Sequence, residues 1–163
     1  MRIVVLSDTH IPDFAKTLPS GLLPVLRKAD LILHAGDVTS REVLEELSTF
    51  APVKVAMGNN DGPDVAAWGA RPEVTVDVDG TRIAMLHDPG RREGRERRLR
   101  RRFPDAHLIV FGHSHIPIDT EVDGVLFLNP GSPTWKRRQP THTFGVAEVT
   151  DQRVRTRIVE LPP

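Results

Sequence analysis

Five short apolar runs in this chain each stop at a polar cluster carrying His, Asp or Asn, and this repeated arrangement limits the folds open to it. The runs cover residues 3–6, 31–33, 53–57, 81–86 and 106–111. The clusters that follow are Asp8-Thr9-His10, Gly36-Asp37, Gly58-Asn59-Asn60-Asp61, His87-Asp88 and Gly112-His113-Ser114-His115. Continuous β-branched and aliphatic runs of this length predict strands buried on both faces. In α/β sheets, ligands bind beyond the carboxyl ends of the strands. A glycine beside three of the clusters lets the backbone turn tightly and approach a ligand. Side chains distant in sequence are therefore expected to meet at one rim of a rigid scaffold.

The intervening segments fit this reading. A helix is expected over residues 21–29 with Ser20 as its N-cap, and another over residues 40–49, where Ser40 caps and Val43, Leu44 and Leu47 form the apolar face. Strands alternating with helices argue an α/β class with parallel pairing at the start. The second half changes character. Asp79-Gly80 predicts a hairpin between residues 74–78 and 81–86, and Asp123-Gly124 a second between 116–122 and 125–128. Residues 91–103 read as a helix stopped by Pro104. Residues 144–149 and 154–159 read as a last antiparallel pair. With no repeat and no long linker, residues 1–163 are expected to form one domain.

Composition narrows the chemistry. There is no cysteine, so disulfides and thiolate metal sites are excluded. Any metal must sit among His, Asp, Glu and Asn, which suits Mn, Mg, Zn, Fe or Ni. The first apolar run is too short for a signal-peptide core and no stretch approaches a membrane span, so a cytoplasmic chain without a membrane partner is expected.

Asp8 and His10 alternate across one residue, as do His113 and His115, a spacing that aims both side chains of each pair the same way at a strand end. Asp37, Asn59 and His87 complete a set of four imidazoles, two carboxylates and one amide. Two cations held close together need a shared anion, and Asp37 is the natural bridge. Two divalent ions about 3.5–4 Å apart clamp phosphate oxygens and activate water for in-line displacement, so no Ser or Cys nucleophile is needed.

These five blocks, in this order, resemble the calcineurin-like metallophosphoesterase superfamily, whose pattern is D-x-H, G-D, G-N-x-[D/E], a lone His and G-H-x-H. Asn129-Pro130-Gly131-Ser132 and the small size resemble its compact bacterial and archaeal phosphodiesterase branch. The resemblance covers nearly the whole chain. It implies a two-sheet β-sandwich flanked by helices, the site lying at the strand ends. It implies two divalent ions, Mn first, with Mg, Ni, Fe or Zn as alternatives. The first takes Asp8, His10, Asp37 and His115; the second takes Asp37, Asn59, His87 and His113. It implies hydrolysis of a small phosphate-ester substrate, a diester above all, by hydroxide activated between the ions. A eukaryotic retromer subunit is similar to this branch and serves in protein assembly, so a protein-binding scaffold is the alternative. Oligomeric state is left open.

Other residues carry weaker expectations. Asp61 is read as an acceptor that orients a ligand imidazole. His34 and His107 are read as structural, His142 is unassigned, Trp68 as packing and Trp135 as rim. Residues 91–102 hold eight arginines and two glutamates in a chain of zero net charge. They are read first as a solvated helix face and second as a patch for nucleic acid. Many family members carry His where this chain has Asn60, and that His is thought to assist the leaving group. Asn cannot act as an acid but can donate a hydrogen bond to substrate phosphate. General acid catalysis is worth about 10²–10⁴-fold, so poor leaving groups should suffer. Activated aryl esters are expected to turn over well and alkyl esters slowly; equal rates across a series of leaving-group pKa would contradict this.

Overall fold

Alternate residues of the first strand are buried on opposite faces, which forces two layers onto one sheet. In the computed structural model, which describes residues 1–163, β1 spans Arg2–Leu6, and Ile3, Val4, Val5 and Leu6 are all fully buried. Val4 and Leu6 pack with Ile32, Leu44, Leu47 and Val65 beneath helices. Ile3 and Val5 pack with Ile83, Met85, Leu108 and Val110 of a second sheet. A period of two thus dictates helix, sheet, sheet and helix layers.

The other elements follow in order: α1 Leu23–Leu26, β2 Leu31–His34, α2 Arg41–Ser48, β3 Val53–Val55, α3 Pro63–Trp68, β4 Glu73–Val78, β5 Thr81–Leu86, α4 Arg95–Arg102, β6 Leu108–Val110, β7 Ile118–Val122, β8 Val125–Asn129, β9 His142–Thr150 and β10 Arg153–Leu161. One sheet has the order β10-β9-β1-β2-β3 and the other β4-β5-β6-β8-β7. This is the two-sheet sandwich flanked by helices that the resemblance implies. β1 pairs parallel with β2, and β2 with β3. β5 pairs parallel with β6. The antiparallel pairs β4–β5 and β7–β8 fall where the two Asp-Gly signals stand, and β9–β10 is the expected last antiparallel pair. No helix is long and apolar enough to cross a membrane.

The helices differ from expectation in detail. The first is only Leu23–Leu26, and Ser20 caps nothing. The backbone on either side winds through i to i+3 bonds, Leu22 N–H to Pro19 O and Ala29 N–H to Leu26 O, in a stretch where Pro24 supplies no donor. Ser40 holds the N-cap position of α2, but its hydroxyl makes no capping bond. Asp64 of α3 does that work instead, accepting from Arg41 N–H at 3.1 Å. The helix α3 itself lies in a stretch for which no element is expected above, although Gly62-Pro63 is a helix-start signal. The Arg-rich helix begins at Arg95, because Gly90 and Gly94 both take left-handed φ.

The carboxyl ends of β1 and β6 belong to different sheets yet nearly touch. A Cβ on Gly112 would overlap Ser7 Oγ, and a Cβ on Gly58 would overlap the backbone and carboxylate of Asp37. Gly112→Ala should therefore force the two strand ends apart and destabilise by about 1–3 kcal/mol. Urea unfolding reads this directly; a wild-type midpoint would show that the ends do not pack so closely.

Candidate metal centre

Strand polarity places all five clusters at one rim. Asp8 and His10 follow β1, Asp37 follows β2, Asn59 follows β3, His87 follows β5, and His113 and His115 follow β6. Asp8, His10, Asp37, His113 and His115 all adopt positive φ, between 43° and 72°. Such conformations persist only where the surroundings over-determine them, and they concentrate at functional sites.

Backbone and carboxylate contacts do the determining. Asp8 N–H donates to Gly36 O at 2.9 Å, and His10 N–H to Asp37 O at 3.0 Å. Asp8 Oδ2 accepts from Ser7 Oγ at 2.6 Å and from His113 N–H at 3.0 Å, which ties the two sheets together. Asp61 differs from expectation. It touches no imidazole; its carboxylate accepts the backbone N–H groups of Asp37, Thr39 and Gly58 at 2.8–2.9 Å. It orders the two loops that present Asp37 and Asn59.

The side chains converge. His115 Nε2 lies 3.3 Å from Asp8 Oδ1. His10 Nε2 lies 3.8 Å from Asp8 Oδ1 and 3.5 Å from Asp37 Oδ2. His87 Nε2 lies 3.4 Å from Asp37 Oδ2 and 3.0 Å from Asn59 Oδ1. His113 Nδ1 is 3.1 Å from the same Asn59 oxygen. Two groups of donor atoms fall within 4.8 Å of one another: Asp8, His10 and His115, and Asp8, Asp37 and His87. Asp37 Oδ2 lies within 3.5 Å of both His10 Nε2 and His87 Nε2, and Asp8 is common to the two groups.

Tautomers follow from the neighbours. His87 Nδ1 donates to Ala35 O at 2.7 Å, and His115 Nδ1 to Trp135 O at 2.6 Å. Each ring then turns an Nε2 lone pair toward the carboxylates, the usual way a protein prepares an imidazole for a cation. Lone pairs meet lone pairs here. Asp8 Oδ1, His10 Nε2 and His115 Nε2 are buried without any hydrogen-bond partner. Unpaired buried polar atoms are costly, and a cation between them would satisfy all three at once, with Nε2 of His10 as the free nitrogen. The residues present therefore fit a divalent ion.

The electrostatics agree. Burial alone would raise Asp8, but His10 and His115 beside it hold it well below the usual carboxylate range. Burial also opposes ionisation of Asp37, and contacts from His87 and Asn60 win, lowering it to about 2. Burial would lower His87, yet Asp37 and Asp8 raise it, so this pocket draws positive charge. His34 is pushed down to about 3 by complete burial. Its Nδ1 accepts from Gly36 N–H at 3.2 Å, leaving Nε2–H for Thr9 Oγ1 at 3.0 Å, so it serves as a neutral strut.

Asp8, His10, Asp37, His87 and His115 are buried, whereas Asn59, Asn60 and His113 form the open face. Asn60, expected to face substrate, donates from Nδ2 and from its backbone N–H to the two oxygens of Asp37, each at 2.8 Å. The end of β8 and the loop after it add supports whose roles the sequence did not disclose. Asn129 Nδ2 donates to Gly112 O at 3.0 Å and Ser132 Oγ to Asp8 O at 2.8 Å. Trp135 stands edge-on to His10 and His115, with ring centroids 5.1 and 4.9 Å away, and Phe14 stacks on it at 3.6 Å. Phe14 carried no sequence signal. Trp68 packs against the core under the helices. His107 accepts from Arg82 N–H at 2.9 Å and His142 opens β9; both lie outside the cluster.

Comparison with known proteins now bears on this site. A family model for the calcineurin-like phosphoesterase superfamily domain matches residues 1–152. A probable metallophosphoesterase of Methanothermobacter thermautotrophicus is 37% identical over 141 residues, which cover 84% of this chain and 80% of the relative. A phosphodiesterase of Methanocaldococcus jannaschii is 27% identical over 152 residues, with 80% and 83% covered. Among solved structures, vacuolar protein sorting 29 from Cryptosporidium parvum superposes with a TM-score of 0.78 at 25% identity, covering 99% of this chain and 98% of that one. With its ordered blocks, its sandwich and its clustered ligands in agreement, the chain belongs to the calcineurin-like phosphoesterase superfamily.

Proposed function

We propose that this chain is a phosphodiesterase whose centre takes two divalent cations, manganese first. Asp8, His10, Asp37 and His115 would hold one ion, and Asp37, Asn59, His87 and His113 the other. The observation that carries the proposal is the meeting of three unpartnered buried polar atoms, Asp8 Oδ1, His10 Nε2 and His115 Nε2, at a rim where His87 and Asp37 also converge. When bound, such ions supply Lewis acidity toward phosphate oxygens and lower the pKa of water.

The protein's own part is orientation. Asn60 and Asp61 fix Asp37 from two sides, and the backbone carbonyls of Ala35 and Trp135 fix the rings of His87 and His115. Asn59 and His113 stand at the open side, where a substrate phosphate would enter. The amide of Asn60 has a second hydrogen that can reach that phosphate while the first holds Asp37. His34 offers no acid, being buried and neutral with both ring nitrogens engaged. Protonation of a departing alkoxide by solvent is in line with the expected preference for activated esters.

A scaffold reading rests on the likeness to vacuolar protein sorting 29. Every position of the ligand pattern is filled in this chain, which favours chemistry.

Hydrolysis of bis(p-nitrophenyl) phosphate across a divalent metal series, with a chelated control, tests the proposal. Activity should need the metal, and Asp37→Asn should lower it by more than about 100-fold, since even residues that only support ligands cost 10–100-fold. Full activity of Asp37→Asn, or of the chelated protein, would refute the shared role of Asp37.

A further inference from the structure

The Arg-rich segment divides according to its partners. Arg98 donates Nη1 to Glu93 O at 2.6 Å and Nη2 to Pro89 O at 3.1 Å, pinning the loop ahead of α4. Arg100 pairs with Asp123 at 2.8 Å, and Arg102 pairs with Glu73. Arg95 lies with its guanidinium 4.9 Å from the centre of the Phe111 ring and pairs with Glu96 at 2.9 Å, yet its buried Nε–H meets no acceptor. These contacts are structural and explain half of the arginines.

Arg92 is different. It lines a cavity of about 450 Å³, within the range of small-molecule sites; Arg91, Arg97 and Arg101 also lack a partner, but none of them lines this cavity. The cavity is continuous with the candidate metal centre, because Gly112, His113 and Ser114 form one of its walls. Pro89, Ile116 and Ile118 make another wall apolar, and Ile116 is 47% exposed there. Asp88 also lines it, with Oδ1 engaged by Gly90 N–H at 2.8 Å. Glu96 offsets Arg95, so Arg92 is the cation left facing the cavity without a partner.

We propose that this cavity is the subsite for one ester group of a phosphodiester substrate, selecting a ring-bearing group that carries a second anion. The ring lies against Ile116 and Ile118, and the anion meets Arg92. An apolar body with one charged end matches an apolar wall with one free guanidinium. The inference rests on the phosphodiesterase reading above and adds the substrate class to it.

The test uses the p-nitrophenyl ester of thymidine 5′-phosphate, with and without a 3′-phosphate, and the manganese-loaded protein. The leaving group is the same in both, so chemistry at phosphorus is held constant. The 3′-phosphate should raise kcat/KM about tenfold, as befits one charge-assisted hydrogen bond. Arg92→Ala should bring that ratio to near one, Arg92→Lys should keep part of it, and Ile116→Glu should lower it. Calorimetry of thymidine 3′,5′-bisphosphate against thymidine 5′-monophosphate should show the same preference and the same loss. A wild-type ratio of one, or a ratio that Arg92→Ala leaves intact, overturns the subsite while the phosphodiesterase reading stands. A wild-type protein that cleaves no ester in any metal, bis(p-nitrophenyl) phosphate included, overturns both.

Discussion

Asp8 is the residue on which the structure turns, because its two oxygens do different work. Oδ2 takes hydrogen bonds from Ser7 and from the His113 backbone, and so draws the ends of two separate sheets together. Oδ1 is left buried and unpartnered, facing His115 and His10. A carboxylate that spends one oxygen on the fold and offers the other to the site couples the geometry of the sandwich to that of the ligand cluster. The close seating of Gly112 on Ser7 makes the coupling stiff.

This cluster is costly without a positive charge at its centre. Several acceptors point at one another out of reach of water, and five of the loop residues that present them hold left-handed backbone. Such strain persists only on a rigid support. Here the support is the buried packing between the sheets and the carboxylate of Asp61, which gathers three backbone donors from two loops. That support lets candidate ligands from five places in the chain gather at one rim.

Much of this was legible because strand ends announce themselves locally. Continuous apolar runs, followed at once by His, Asp or Asn, located the rim and its seven candidate ligands. Asp-Gly pairs located both hairpins. What escaped depends on neighbours remote in sequence. Nothing near Asp61 says that it will bind the backbone rather than an imidazole, since two of its three partners lie 22 and 24 residues away. Asp64 caps α2 from another helix, which makes the Ser40 signal misleading. Asn60 looked free to meet substrate, but its first commitment is to Asp37 across the fold. The arginines looked like one charged face until the fold set Arg92 in the lining of the cavity beside His113.

Anomalous scattering from a crystal grown with manganese addresses the central claim most directly. Two peaks about 3.5–4 Å apart, with the Asp37 carboxylate between them, are the expected result. A map without density among Asp8, Asp37 and the four imidazoles, or with those rings turned away from one another, would contradict the account.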